Sequence, residues 1–183
     1  MTRPGPWPFV ILGIVAAAAA VLLMMGRVPI CECGQVKLWH WQVVSSENSQ
    51  HLIDWYTPSH ILHGFIFYGV LHLLMPRVGL WPRAAIATLV EAAWENTEAV
   101  IQRYREATIA LDYFGDSVIN SVSDIGWMLA GFALAARLPV PATVALALAF
   151  EIGVGWAIRD NLTLNVLMLL WPLESVRAWQ AGG

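Results

Sequence analysis

Charge is scarce in this chain: Asp, Glu, Lys and Arg together make up 13% of its 183 residues, and lysine occurs once, at Lys37. With so few cations there is no basic stripe to neutralise a run of phosphates, which excludes nucleic acid as a partner. Cysteine is almost absent too, with Cys31 and Cys33 the only pair. One residue apart, they are poorly spaced for an ordinary disulfide, and no further cysteine or nearby histidine completes a zinc set. They read as two small loop residues, open to oxidation if their loop is periplasmic. Internal repeats and a soluble domain are missing as well.

Apolar residues fill the space that charge leaves. They make up 58% of the sequence, and the mean hydropathy is +0.60, a composition that belongs in lipid. The run Phe9 to Met25 follows Arg3 but is too long for a signal peptide and has no small-residue cleavage pattern after it, so it reads as a retained first span. Five stretches, near 8–26, 59–75, 82–101, 117–136 and 142–158, are long enough to cross a hydrocarbon layer of about 30 Å as helices. A sixth, 162–171, is short and crosses only part of the way or dips in and returns. Met75-Pro76, Trp81-Pro82 and Leu138-Pro139-Val140-Pro141 punctuate the connections. The expected fold is a single all-α domain over 1–183, a polytopic transmembrane bundle with five long spans, a short sixth helix and a polar loop over 27–58.

Alternation puts the N-terminus, Arg77, Arg83 and Arg137 on one side of the membrane. The loop 27–58, the connection 102–116 and the corner Arg159-Asp160-Asn161 fall on the other. Lys and Arg are nearly balanced, so loop length and acidity decide: the short Arg-bearing loops read as cytoplasmic and the longer acidic ones as periplasmic.

The polar residues inside the spans have a pattern. Glu91, Glu95 and Glu98 follow i, i+4, i+7 and share one helical face; Asp116, Asn120 and Asp124 follow i, i+4, i+8; His60 and His63 lie one turn apart. At 1.5 Å per residue from the acidic side, Asp124 and Glu91 lie roughly 12–15 Å deep, Glu95 and Glu151 about 9–10 Å, and the two histidines within about 7 Å. An acidic residue near the centre of a span costs on the order of 2.5–3.5 kcal/mol, so several at one depth call for a reason. Neighbouring buried carboxylates need protons, a metal or an arginine between them.

Three readings follow. In the first, Glu91, Glu95, Asp116 and Asp124 are catalytic acid/base groups and His60, His63, Glu95 and Glu98 hold a divalent metal. His51, Arg103, Arg105, Asn120, Arg159, Asp160 and Asn161 then bind a lipid or lipid-linked headgroup, the arginines meeting any phosphate. In the second, the cluster only locks the bundle, with the histidines as interfacial imidazoles and Asn120 and Asn165 as packing glue, in a noncatalytic partner of another membrane complex. In the third, it relays protons in a transporter. Membrane lipid is a partner in the first, and a second copy or another membrane protein remains open. The loop 45–57 holds Glu47, Asn48 and His51 with no local capping role and is expected to act as a lid over the cluster. Asp54 and Thr57, ahead of Pro58, read as a helix start. Trp39, Trp41, Trp55, Trp81, Trp171 and Trp179 fit an interfacial belt, while Trp94, between Glu91 and Glu95, is placed to serve the polar cluster.

The strings CECGQVKLWH, SSENSQHLIDWYTPSHILHG, EAAWENTE, DYFGDSVINSVSD and RDNLTLN resemble an uncharacterised family of small inner-membrane proteins of alphaproteobacteria. The resemblance runs over nearly the whole chain and implies a multi-pass inner-membrane location without implying a chemistry. The order His…Gly, Glu-x-x-Trp-Glu-x-x-Glu and Asp…Asp in successive helices is similar to that of VanZ-like membrane proteins, over a short match with different spacing. The ladder Asp116, Asn120, Asp124 also resembles the Asp-rich helices of membrane prenyltransferases, which hold a magnesium-bound diphosphate; this chain has one such helix.

Overall fold

Helix boundaries in this chain fall where proline, glycine and small polar residues punctuate the apolar runs. The computed structural model describes residues 5–99 and 115–182, and among these there are seven helices and no strand. They are α1 (Trp7–Met24), α2 (Thr57–Leu74), α3 (Leu80–Glu98), α4 (Val118–Ala135), α5 (Val140–Ile158), α6 (Leu162–Leu170) and α7 (Glu174–Gln180). Pro8, Pro58 and Pro141 occupy the first turns of α1, α2 and α5, where the missing N–H costs nothing. Ser117 caps α4, its Oγ accepting the Asn120 N–H at 3.3 Å, and Asn161 caps α6 by accepting the Leu164 N–H at 2.8 Å. Arg159 ends α5 in the left-handed region, φ 57°. At the start of α2, Asp54 Oδ1 accepts the N–H groups of Tyr56 and Thr57, and Thr57 Oγ1 accepts the N–H of Asp54. Asp54 and Thr57 therefore shape the turn into α2 without capping it from the N-cap position, which Tyr56 fills.

Five long spans were expected; among the described residues three helices, α1, α4 and α5, are long and apolar enough to cross a membrane. Helices α2 and α3, at 18 and 19 residues, match the others in length. They differ in composition: α2 contains His60, His63 and His72, and α3 contains Arg83, Glu91, Glu95 and Glu98. The residues that lower their hydropathy are largely those of the polar cluster. The outward faces of α1 and α5 are bare hydrocarbon, with Phe9, Met24 and Trp156 fully exposed in character and Val154 the only buried residue of α5. Such faces suggest association with a membrane. At about 1.5 Å per residue, α6 is roughly 14 Å long, half of a crossing.

Two packing contacts set the site. Alanines of α3, with Ala84, Ala87 and Ala92 buried, lie against Ile11 and Ala18 of α1 and Ile125 and Met128 of α4. Across the other face, α2 crosses α4 at Gly64 and Gly131. A Cβ on Gly64 would collide with the backbone of Met128 and Phe132, and one on Gly131 with the Ile61 carbonyl. This backbone-to-backbone approach brings the His60 turn of α2 against the Asp124 turn of α4. Because rigid backbone cannot yield as a side chain does, Gly131→Ala is expected to destabilise the protein by about 1–3 kcal/mol or more. A thermal scan in detergent reads this as a lower midpoint; an unchanged midpoint would show that the crossing is looser than described.

Candidate functional site

The N-terminal end of α2, the C-terminal end of α3 and the N-terminal half of α4 meet at one end of the bundle. There the helical registers converge on Glu91, which is fully buried. Its Oε1 lies 2.8 Å from His60 Nδ1 and 2.9 Å from His63 Nδ1, and its Oε2 lies 3.0 Å from His63 Nδ1. An ionised carboxylate only accepts, so both imidazoles donate through Nδ1, and as neutral rings each presents a lone pair at Nε2. This is the arrangement in which a carboxylate fixes histidine tautomers for metal binding.

His60 is ringed by two further acids. Its Nδ1 is 3.7 Å from Glu95 Oε1, and its Nε2 is 3.6 Å from Asp124 Oδ2. Both separations exceed a hydrogen bond. The second, between His60 Nε2 and Asp124, is close to the spacing of two atoms sharing one cation, since ligand bonds of about 2.0–2.2 Å place neighbouring ligands roughly 3–3.6 Å apart. One donor atom from each of His60, Glu95 and Asp124 lies within 4.8 Å of the other two, and the same holds for His60, His63 and Glu91 and for Glu95, Glu98 and Asp116. Glu95 Oε1 and Asp124 Oδ1 are buried without a hydrogen-bond partner among the described residues. A buried polar atom left unpaired costs about 1–3 kcal/mol, more when charged.

Beside the cluster lies a cavity of about 320 Å³. Its polar lining is His60, His63, Glu91 and Glu98 with Tyr56, Ser59 and Asn165; its apolar lining is Phe67, Val90 and Trp94 with Leu162, Val166, Leu169 and Leu170 of α6. His63 stacks on Phe67, ring centroids 5.8 Å apart, and its Nε2 makes no hydrogen bond among the described residues.

Other residues expected at the site are placed elsewhere. Asn120 donates to the His51 carbonyl at 2.8 Å and so pins the polar loop to α4. The His51 ring turns away from the cluster: Nε2 lies 2.9 Å from Glu47 Oε2, and Nδ1 accepts the Lys37 N–H at 3.2 Å. Gln50 and Ser117 add bonds across the same seam, Gln50 Nε2 to the Gly115 carbonyl and Ser117 Oγ to the Gln50 carbonyl. The loop thus packs on the end of α4, and its Glu47 and His51 side chains form a separate group. Arg159 donates to the Trp179 carbonyl. Asn161 Nδ2 donates to the Glu151 carbonyl, while the Glu151 carboxylate accepts the N–H groups of Leu162 and Thr163. Glu151, expected at cluster depth, therefore caps α6. Arg103 and Arg105 lie outside the described residues. The sequence offered a signal for Asn161 that the site reading passed over: an Asn immediately before an apolar run is an N-cap pattern.

Asp160 joins three elements: its oxygens accept from the Asn161 N–H, the Tyr56 hydroxyl and Gln180 Nε2. Burial raises its carboxyl to about 6, against the bonds that lower it. The folded state therefore holds its proton more tightly than the unfolded chain does. The resulting stability is complete below the unfolded value near 3.8 and is lost as pH rises through about 6. We expect a carboxyl titration centred near 6 in the infrared spectrum that disappears in Asp160→Asn; a midpoint near 4 would mean the carboxyl is solvated.

Fold and cluster define a class: an all-helical protein with membrane-length apolar helices and a buried histidine–carboxylate centre. The chain belongs to the DUF2585 family, described as a protein of unknown function, whose model matches residues 22–182. It is similar to the UPF0314 protein of Paracoccus denitrificans, 61% identical over 92% of this chain and 89% of the relative. Similar relatives are UPF0314 protein R03235 of Rhizobium meliloti, 57% identical over 98% and 93%, and the UPF0314 protein of Sphingopyxis alaskensis, 57% identical over 93% and 92%. No solved structure matches the chain. The likeness to VanZ-like proteins is not among what these matches show.

Proposed function

We propose that this chain is a multi-pass protein of the bacterial inner membrane, crossing with α1 to α5 while α6 enters part-way. In this reading His60, Glu95 and Asp124 hold a divalent metal that serves a lipid or lipid-linked headgroup seated in the neighbouring cavity. The observation that carries it is the pair of oxygens on Glu95 and Asp124 that have no hydrogen-bond partner among the described residues, buried around a histidine that Glu91 orients. A divalent ion is the occupant that satisfies both oxygens together with the His60 lone pair. Glu98 and Asp116 lie close enough to Glu95 to extend the ligand set.

A metal there would supply a Lewis acid next to a cavity lined mostly by apolar side chains, with His60, His63, Glu91 and Glu98 among its polar ones. The chain's own groups would do the rest: Glu91 orients both imidazoles, His63 Nε2 exchanges a proton with a bound hydroxyl, and the α6 side chains seat hydrocarbon. The periplasmic face is supported by the bonded pair Cys31 and Cys33 at the same end of the bundle, since disulfides persist in oxidising compartments.

Valine 166 tests the amphiphile part. Filling the cavity with Val166→Trp is expected to leave metal content unchanged while removing phospholipid from the protein in native mass spectra of detergent-extracted samples. Equal lipid retention in both proteins would end this assignment. A second reading, a docking face for another membrane protein or a second copy, is favoured by α5, on which Val154 is the one buried residue while Ile152 and Trp156 are exposed.

A further inference from the structure

Cys31 and Cys33 form a disulfide across one intervening residue. A bridge that closes so short a loop removes little entropy from the unfolded chain and constrains nothing beyond its own turn, so stabilisation does not account for it. Its surroundings do suggest a use. The pair lines a cavity of about 200 Å³ together with Glu47 and Gln50. One donor atom from each of Cys31, Cys33, Glu47 and His51 lies within 4.8 Å of the other three. Residues at least 14 positions apart in sequence have been gathered around the two sulfurs.

The roles within this group follow from its hydrogen bonds. Glu47 Oε2 is bound by Lys37 Nζ and faces His51 Nε2 at 2.9 Å, leaving Oε1 for another partner. The Lys37 ammonium, and then His51, hold the Glu47 carboxyl below its ordinary value, so it is ionised at neutral pH. His51 is fully buried and accepts the Lys37 N–H at Nδ1, which places its proton on Nε2, toward Glu47. It therefore orients Glu47.

We propose that this loop is a second metal site, opened by reduction: as thiolates, Cys31 and Cys33 join Glu47 in holding a thiophilic divalent ion such as zinc, and the disulfide form releases it. Cys33 is exposed and Cys31 buried, so an incoming dithiol attacks Cys33 Sγ. A mixed disulfide forms, the Cys31–Cys33 bond breaks, and Cys31 leaves as thiolate. The second thiol of the reductant then resolves the mixed disulfide, so the reductant ends as a disulfide and two cysteine thiols remain. Metal binding displaces their protons. Two thiolates and one carboxylate leave a fourth tetrahedral position open. The site is independent of the His60 cluster, which contains no sulfur.

Cobalt(II) is the probe, because thiolate ligation gives sulfur-to-cobalt absorption in the near ultraviolet that oxygen and nitrogen ligands do not. The full-length protein in detergent is reduced with a phosphine, which takes oxygen from water as the disulfide becomes two thiols, and is then desalted under nitrogen. We expect the band to saturate at about one ion per reduced chain and to be absent from the oxidised protein and from C31S/C33S. His51→Ala should weaken binding about 10–100-fold, with E47Q at least as severe, while circular dichroism stays unchanged. A reduced wild type without the band, or E47Q and H51A binding as tightly as wild type, would overturn the proposal. E95Q/D124N keeps the band, so failure here and failure at the buried cluster are read separately.

Discussion

Replacing Glu95 and Asp124 together by their amides is expected to stabilise the metal-stripped protein while lowering its affinity for a divalent transition metal at least a hundredfold. The two effects have one cause. Each side chain is buried, 2% and 4% exposed, and each has an oxygen with no hydrogen-bond partner among the described residues. Without a cation these groups cost stability, about 1–3 kcal/mol apiece. Amides remove the charge and add a donor that can face a neighbouring carboxylate. A ligand set maintained at the expense of stability is what a binding site looks like energetically. If the cluster served only to lock the bundle, E95Q/D124N would lower the thermal midpoint of the stripped protein.

Glu91 predicts the opposite sign. It accepts from both imidazoles, and both of its oxygens are engaged. Glu91→Ala leaves two N–H donors facing a void, and each buried donor left unsatisfied costs about 1–3 kcal/mol. Chemical denaturation of the detergent-solubilised protein should show a loss of that size. Glu91→Gln keeps the volume and one carbonyl acceptor, so it should fold better than E91A while binding metal about 10–100-fold more weakly than wild type, as loss of an orienting partner does elsewhere. Equal stability of E91A and wild type would remove Glu91 from the centre of the site.

What could be read in advance was local and periodic. The i, i+4, i+7 spacing of Glu91, Glu95 and Glu98 and the one-turn spacing of His60 and His63 follow from 3.6 residues per turn. Burial cost then argued that these faces meet, and the structure brings His60, Glu91, Glu95 and Asp124 together. Period alone could not say that Asn120 would spend its amide on the His51 carbonyl, because the rotation of α4 is set by the Gly64–Gly131 crossing. The corner 159–161 looked like ligand chemistry by residue type, yet Asn161, Glu151 and Asp160 satisfy backbone and side-chain groups around α6 and α7.

The cysteine loop shows a different obstacle. Lys37, Glu47 and His51 reach Cys31 and Cys33 through a chain reversal with no regular periodicity, held by the bond from Leu52 N–H to the Lys37 carbonyl and from His40 N–H to the Ile53 carbonyl. No spacing rule links His51 to a cysteine twenty positions away. Among the described residues three helices meet the length and apolarity of a span where five were expected, because α2 and α3 carry the histidines and acids of the cluster.

Elemental analysis of dialysed, detergent-purified protein bears most directly on the central claim, that His60, Glu95 and Asp124 form a metal site. With the Cys31–Cys33 disulfide intact, the account predicts about one divalent transition-metal ion per wild-type chain and less than about a tenth of that in an equally helical E95Q/D124N. Equal metal in the two proteins, or none in either after exposure to zinc, would contradict it.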